Sequence, residues 1–374
     1  MSTRIVSLIV VAVLLFLNSI MVMAQGPVTC GTERATSDAA LSVRRQVETL
    51  SLTPHASEIL LFINFNGAVV RQGSENADTF TSSVISGIRS CPAPSLTQAQ
   101  KDEIVRLVRD DFSPFNIRVT TDAAEFAAYP RINKEMSIVT TLPGVIGHQS
   151  GEGGVAPATT LGRRVLGGIS FTFSGAVGND PSDVAAVISH ESGHLLSLDH
   201  QHQYTDTCGV FREYHPGFGT GPLSFDPIMG EAFTDGINNW FAQSCIDPFF
   251  GVPQDDYAFL SDQVDVRADD FPDTPTRDQV SAENFNGILG RGGDVDYVLI
   301  NFKSPGPLTI TSDNIDLKVS VIAPGGHVLE EFNDRDSTNV SIPSIEGLRY
   351  LKIEAADNQN MSAQFMTGTY HVLF

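Results

Sequence analysis

The period of apolar and polar positions changes several times along the chain, and each change marks an element. Ile5 to Leu17 is almost wholly apolar after Arg4. Residues 25 to 56 are polar and mixed. Ile59-Leu60-Leu61-Phe62-Ile63-Asn64-Phe65 is an apolar run of strand length, closed by the turn pair Asn66-Gly67. Helical spacing follows over 96–111, with Ile104, Leu107 and Val108 apolar among charges. Phe115 to Thr120 alternates as a strand, and Met136 to Thr141 reads as another. Residues 144 to 168 hold many glycines and read as a long loop. Gly168 to Phe173 then alternates cleanly. A helix is expected next: Asp180 caps it, Pro181 suits its first turn and Asp183 forms a capping-box-like pair. Val184, Val187, Ile188 and Leu195 make its apolar side. Strand, helix, strand, strand in this order argues for a mixed α/β layer.

From about Asp262 to Asp278 the composition shifts to Asp265, Asp269, Asp270, Asp273 and Asp278 with Pro272 and Pro275, the mark of a linker or domain edge. Beyond it short β-rich runs alternate with turns: Tyr297 to Phe302, Leu308 to Thr311, Leu317 to Ile322, Tyr350 to Glu354 and Thr369 to Phe374. These predict an all-β sandwich of about 100 residues. The expected organisation is therefore a targeting segment over 1–24, an N-terminal extension or short propeptide over 25–56, a first domain over 57–262, an acidic linker over 263–280 and a β-sandwich over 281–374.

Charge narrows the function. The chain has 23 Lys and Arg against 44 Asp and Glu, a net charge of −21. Phosphate binding needs an excess of Lys and Arg, so the surface repels nucleic acid and anionic membranes, and a nucleic-acid partner is excluded; no membrane partner is expected once the targeting segment is cleaved. Val22-Met23-Ala24 supplies a small-residue cleavage site after the apolar run, so a secreted product beginning at Gln25 is expected; an uncleaved anchor is the alternative. Export permits disulfides. Of the three pairings open to Cys30, Cys91, Cys208 and Cys245, Cys30–Cys91 with Cys208–Cys245 is favoured because each closes a local loop. A second reading makes Cys30 a thiolate that caps a metal and leaves Cys91 without a partner.

The chemistry concentrates in His190-Glu191-Ser192-Gly193-His194-Leu195-Leu196-Ser197-Leu198-Asp199-His200. Helical positions i and i+4 share a face, so His190 and His194 can address one ion. Glu191 stands beside them without ligating. If the helix stops, His200 turns back as the third ligand, with His202 as the fallback. Three neutral imidazoles leave a fourth tetrahedral position open, the requirement of one catalytic Zn2+. Zinc lowers the pKa of a coordinated water towards about 7, and Glu191 is placed to take its proton as general base.

These residues resemble the metzincin pattern His-Glu-x-x-His-x-x-Gly-x-x-His followed by a methionine turn. Asp226-Pro227-Ile228-Met229-Gly230, with Met229 standing 29 positions after His200, is similar to that turn and implies Met229 as a floor beneath the histidines. Ser197 stands where the family has glycine, which calls for an unusual backbone angle. Glu231 stands where some members carry a tyrosine ligand, so no tyrosine is expected at this zinc. Leu61 to Gly67 and Asp110 to Ile117 extend the likeness upstream. Gly287-Ile288-Leu289-Gly290, Asp294-Val295-Asp296-Tyr297 and Gly368-Thr369-Tyr370 resemble bacterial pre-peptidase C-terminal domains. The likeness implies an α+β metzincin zincin-like catalytic domain, a mixed sheet plus active-site helix, followed by an all-β sandwich. It implies a protein or peptide substrate laid along an antiparallel edge strand that includes Ile169, Ser170 and Phe171, with Phe233 in the pocket wall. Ca2+ at Asp294 and Asp296 is the weaker reading beside turn capping. Two other functions stay open: an extracellular binding or adhesion protein with an inactive metzincin domain, and a zinc amidase.

Overall fold

The structure is a computed structural model and describes residues 29–30, 55–157, 163–231, 236–247, 251–280, 283–334, 337–357 and 361–374. The targeting segment, all of the extension but residues 29–30 and 55–56, and Phe233 lie outside the described residues. The first half runs Thr29–Cys30 (β1), Ile59–Asn64 (β2), Ala68–Gln72 (β3), Thr81–Ser82 (β4), Ile88–Cys91 (β5), helix Gln98–Asp111 (α1), Ile117–Thr120 (β6), helix Ala123–Ala128 (α2), Lys134–Thr140 (β7), Glu152–Val155 (β8), Ile169–Phe173 (β9) and helix Pro181–Leu195 (α3).

β2 is buried at every position, which explains an unbroken apolar run where a half-exposed strand would alternate. Ile59, Leu61 and Ile63 join the cluster made with Ile104 and Val108 of α1 and Val184 and Ile188 of α3. Leu60 and Phe62 face the other way, onto Phe126 of α2 and Val70, Val84 and Ile85. The sheet order is β1-β8-β9-β7-β2-β6. β2, β6, β7 and β9 are parallel, and β8 runs antiparallel to β9. β3, β4 and β5 form a separate small sheet.

Two expectations are corrected here. The glycine-rich stretch 144–168 is not one loop: it contains β8. In consequence Ile169, Ser170 and Phe171 are not on an edge. β9 is paired with β7 on one side and β8 on the other and is buried throughout. The alternation of β9 reflects polar side chains tucked inside, such as Thr172 near Ser137 at 3.4 Å, rather than a solvent face. The short strand Glu152-Gly153-Gly154-Val155 has too few side chains for a period to be read, so its pairing is set by the neighbour.

Gln203–Tyr204 (β10) pairs with Val210–Arg212 (β11), Phe225–Pro227 (β12) with Ile237–Asn239 (β13), and Ala242–Ile246 (β14) with Pro253–Asp255 (β15), before helix Asp256–Gln263 (α4). Cys208 and Cys245 form the expected disulfide, tying the β10–β11 turn to β14. The other expected bridge is absent: Cys91 is a free buried thiol, which burial pushes up to about 11. Cys30 lies on β1 beside β8, whereas Cys91 ends β5, which pairs with β3.

The remaining strands are Gln279–Val280 (β16), Phe285–Leu289 (β17), Val295–Thr311 (β18), Leu317–Ile322 (β19), Val328–Phe332 (β20), Val340–Ala355 (β21) and Gly368–Leu373 (β22). They make a sandwich-like sheet ordered β17-β22-β18-β21-β19-β20, with β16 alongside β18. Long β18 and β21 pair with each other along most of their length through a register shift between Phe302 and Leu308. Phe225 and Ile237 join the core of this sheet, so the two halves share apolar packing. Asn239 adds hydrogen bonds from Nδ2 to the carbonyls of Asn314 and Thr367. Among the described residues no helix is long and apolar enough to cross a membrane.

Burial raises several carboxyls far above the usual value of about 4: Glu135 on β7 and Asp296 on β18 both reach about 8. Such groups are protonated in the fold at neutral pH and ionised in the unfolded chain. Their stabilisation is complete below about pH 4 and is lost as pH rises towards 8. The melting temperature should therefore fall between pH 5 and pH 8, and Glu135→Gln should flatten that fall in a scanning-calorimetry series.

Candidate metal centre

α3 forms because Asp180 accepts a hydrogen bond from Ser182 N at 3.0 Å and Pro181 fills the first turn. Its end sets the site. Leu198 N donates to Gly193 O at 3.0 Å and Ser197 N to His194 O at 3.1 Å, the paired bonds of a Schellman motif. Ser197 takes the left-handed position with φ +87°, the unusual angle its place in the sequence demanded. The chain turns there and brings His200 back over α3.

His190, His194 and His200 converge, each buried, with one ring nitrogen apiece inside a common 4.8 Å. The other nitrogen of each is held by an oxygen: His190 Nδ1 lies 2.7 Å from Ile228 O, His194 Nδ1 2.9 Å from Leu198 O, and His200 Nδ1 3.2 Å from Glu213 Oε1. Carbonyls and carboxylates accept only, so Nδ1 carries the hydrogen and Nε2 turns a lone pair inward. The Nε2 atoms of His190 and His194 stand 3.2 Å apart. Two nitrogens bound at 2.0–2.1 Å to a tetrahedral ion stand about 3.3 Å apart, so the pair fits zinc. Burial pushes the His190 imidazole down to about 4, which favours the neutral form, the one that can ligate a metal.

Met229 is fully buried against α3 between its two histidines, where a Cβ on Gly193 would come within 2.4 Å of its Sδ. Only a glycine between the two helical histidines lets the methionine approach so closely. Met229 O also accepts from Gln201 N at 2.7 Å, which ties the turn to the His200 loop. Glu191 is buried beside the histidines, and its carboxylate lies against β8, where a Cβ on Gly154 would fall 2.5 Å from Oε1. His202 is not in this group; it joins Asp199 and Asp247.

Glu213 and Tyr214 were missed by sequence reasoning. The Tyr214 ring lies 4.4 Å from that of His200, on a loop with no period to reveal it. Asp294 and Asp296 meet Asp269, Asp270 and Asp273 at the domain edge. There Asp294 caps a turn through Gly290 N at 2.6 Å, and Asp296 accepts from the Tyr370 hydroxyl at 2.6 Å.

No family model and no curated protein matches the chain. Short likenesses to solved structures exist. The pre-peptidase C-terminal domain of a collagenase from Bacillus anthracis is 17% identical, over 26% of this chain and 98% of that one, with a TM-score of 0.19. The PliG periplasmic inhibitors of g-type lysozyme from Aeromonas hydrophila and Salmonella Typhimurium are 14% and 18% identical, over 24% and 26% of this chain and 82% and 96% of theirs, with TM-scores of 0.19 and 0.18. Scores this low carry no argument about family or activity.

Two substitutions test the local geometry. Ser197→Gly should stabilise the chain by about 1 kcal/mol, because it removes the left-handed strain. Gly193→Ala should destabilise it by about 1–3 kcal/mol through the clash with Met229. Urea denaturation of the two variants should move the midpoint in opposite directions.

Proposed function

We propose that the chain is an exported, zinc-dependent endopeptidase of the metzincin type. The observation that carries this reading is the convergence of His190, His194 and His200, with Glu191 buried next to them on the same helix and Met229 packed against Gly193. The donor set fits zinc rather than a harder cation, since neutral imidazoles suit Zn2+ and Ca2+ takes oxygens. The Cys208–Cys245 disulfide accords with an oxidising compartment.

Zinc held there supplies a Lewis acid that polarises the scissile carbonyl and acidifies the attacking water. The chain's own residues do the rest. Ile228 O, Leu198 O and Glu213 fix the three ring planes. Glu191 accepts the proton of the attacking water and returns it to the leaving amine. Its burial against β8 keeps competing water away from the carboxylate.

A peptide substrate is taken as an added strand on the outer flank of β8, one strand further out than the motif implied. That flank accepts an extended segment in this fold, since Thr29–Cys30 already lies there, parallel to β8, with Cys30 opposite Gly154. Substrate and this N-terminal segment then compete for one edge, which supports peptides as the substrate class over a non-peptide amide.

Glu191→Ala should lower cleavage of a proteome-derived peptide library by about 10²–10⁴-fold while leaving the fold intact by circular dichroism. A zinc chelator should abolish the same cuts. A chain beginning at residue 55 should cleave faster than one beginning at Gln25, because the β8 edge is then open. Wild-type cuts that survive both Glu191→Ala and chelation would sink the reading, as would a folded, zinc-loaded chain from residue 55 that cuts nothing.

A further inference from the structure

Next to the three-histidine cluster stands a second group with ligand geometry. Asp199, His202 and Asp247 come from three places: the residue before His200, the start of the β10 segment, and the residue after β14. One carboxylate or ring atom from each lies within 4.8 Å of the others. The side chains of His202 and Asp247 are each only 2% exposed.

His202 is oriented in the same way as the first three histidines. Its Nδ1 lies 2.6 Å from Glu213 O, and a carbonyl only accepts, so Nδ1 holds the hydrogen and Nε2 faces the carboxylates. His202 Nε2 stands 3.5 Å from Asp247 Oδ2. That is longer than the 2.7–3.2 Å of an N–H···O hydrogen bond. It is close to the separation of about 3.3 Å expected of two atoms bound to one small tetrahedral ion. The Tyr204 hydroxyl also bonds to Asp247, completing an oxygen-rich wall.

The surroundings hold the three ligands in place. Gln254 grips the Asp199 backbone from both sides, with Asp199 N donating to Oε1 at 3.1 Å and Nε2 donating to Asp199 O at 2.6 Å. Gln243 Nε2 donates to His202 O at 2.7 Å. The Cys208–Cys245 disulfide fastens β14, which leads to Asp247, to the turn after His202.

The geometry points to a second metal site, in which Asp199, His202 and Asp247 bind a divalent transition ion of the zinc class. One nitrogen with two carboxylates is a donor set such ions accept. The ion is structural: Asp199 Oδ1 accepts from His200 N at 2.8 Å, so it braces the loop that presents His200. This inference stands apart from the peptidase reading, since none of its ligands belongs to the first cluster.

The test is to strip the purified full chain of metal, titrate it with Zn2+ alone, desalt it and count bound zinc by elemental mass spectrometry. Wild type should hold two equivalents. His194→Ala should keep one, Asp247→Asn should keep one, and the double variant none. His202→Gln should match Asp247→Asn and serves if that variant does not fold. Two equivalents retained by folded Asp247→Asn or His202→Gln would overturn the second site, as would one equivalent in wild type and none in His194→Ala. One equivalent that survives His194→Ala but not Asp247→Asn would keep this site and remove the first, so the two readings fail separately.

Discussion

The site depends on a single backbone reversal. α3 must end within one turn of His194, and the chain must come back over its own last turn. A Schellman closure does this only if one residue accepts a left-handed conformation, and Ser197 does so at φ +87°. The helix supplies two imidazoles one turn apart, and the reversal supplies the third. The bond from His194 to Leu198 O, the presentation of His200, and the approach of Gln201 to Met229 O all lie downstream of that one turn.

The reversal is affordable because the rest of the fold is built tightly around it. α3 is buried along almost its whole length between the mixed sheet and the Met229 turn. Glycine is required where neighbours press closest: Gly193 against Met229 Sδ and Gly154 against Glu191 Oε1. Asp111 and Trp240 brace α3 one turn before Gly193, with Ser189 Oγ donating to Asp111 Oδ2 at 2.5 Å and Trp240 Nε1 to Asp111 O at 2.6 Å. The sandwich-like half contributes to this bracing. Thr369 Oγ1 donates to Asp110 Oδ1 at 2.8 Å, and Asn239 binds two carbonyls of that half. The C-terminal half is thus part of the platform for α3 as well as a unit with its own core.

The loop after His200 is organised as densely as the helix before it. Glu213 holds His200 through its carboxylate and His202 through its carbonyl. Gln201 reaches Asp256 Oδ1 at 2.6 Å, and Gln254 binds Asp199 and Asp256. These residues share no period, and they come from segments up to 57 positions apart, from Asp199 to Asp256. Their role arises from where the loops cross.

The sequence by itself determined what is local. α1, α3 and β2 follow from helical spacing, capping residues and apolar runs, because those signals arise between residues within a few positions of one another. Ligand spacing made the three histidines and Glu191 legible for the same reason, whereas the Met229 turn and the unusual backbone at Ser197 were implied only by the likeness to the metzincin pattern. Tertiary structure alone decided what depends on neighbours distant in sequence. It placed β8 outside β9, because four residues with two glycines hold no pattern until a partner strand fixes their register. It left Cys91 free, since β5 pairs within a small sheet away from β1. It brought Glu213 and Tyr214 to His200, and Asp247 to His202, because three-dimensional convergence of loops leaves no periodic trace in the chain.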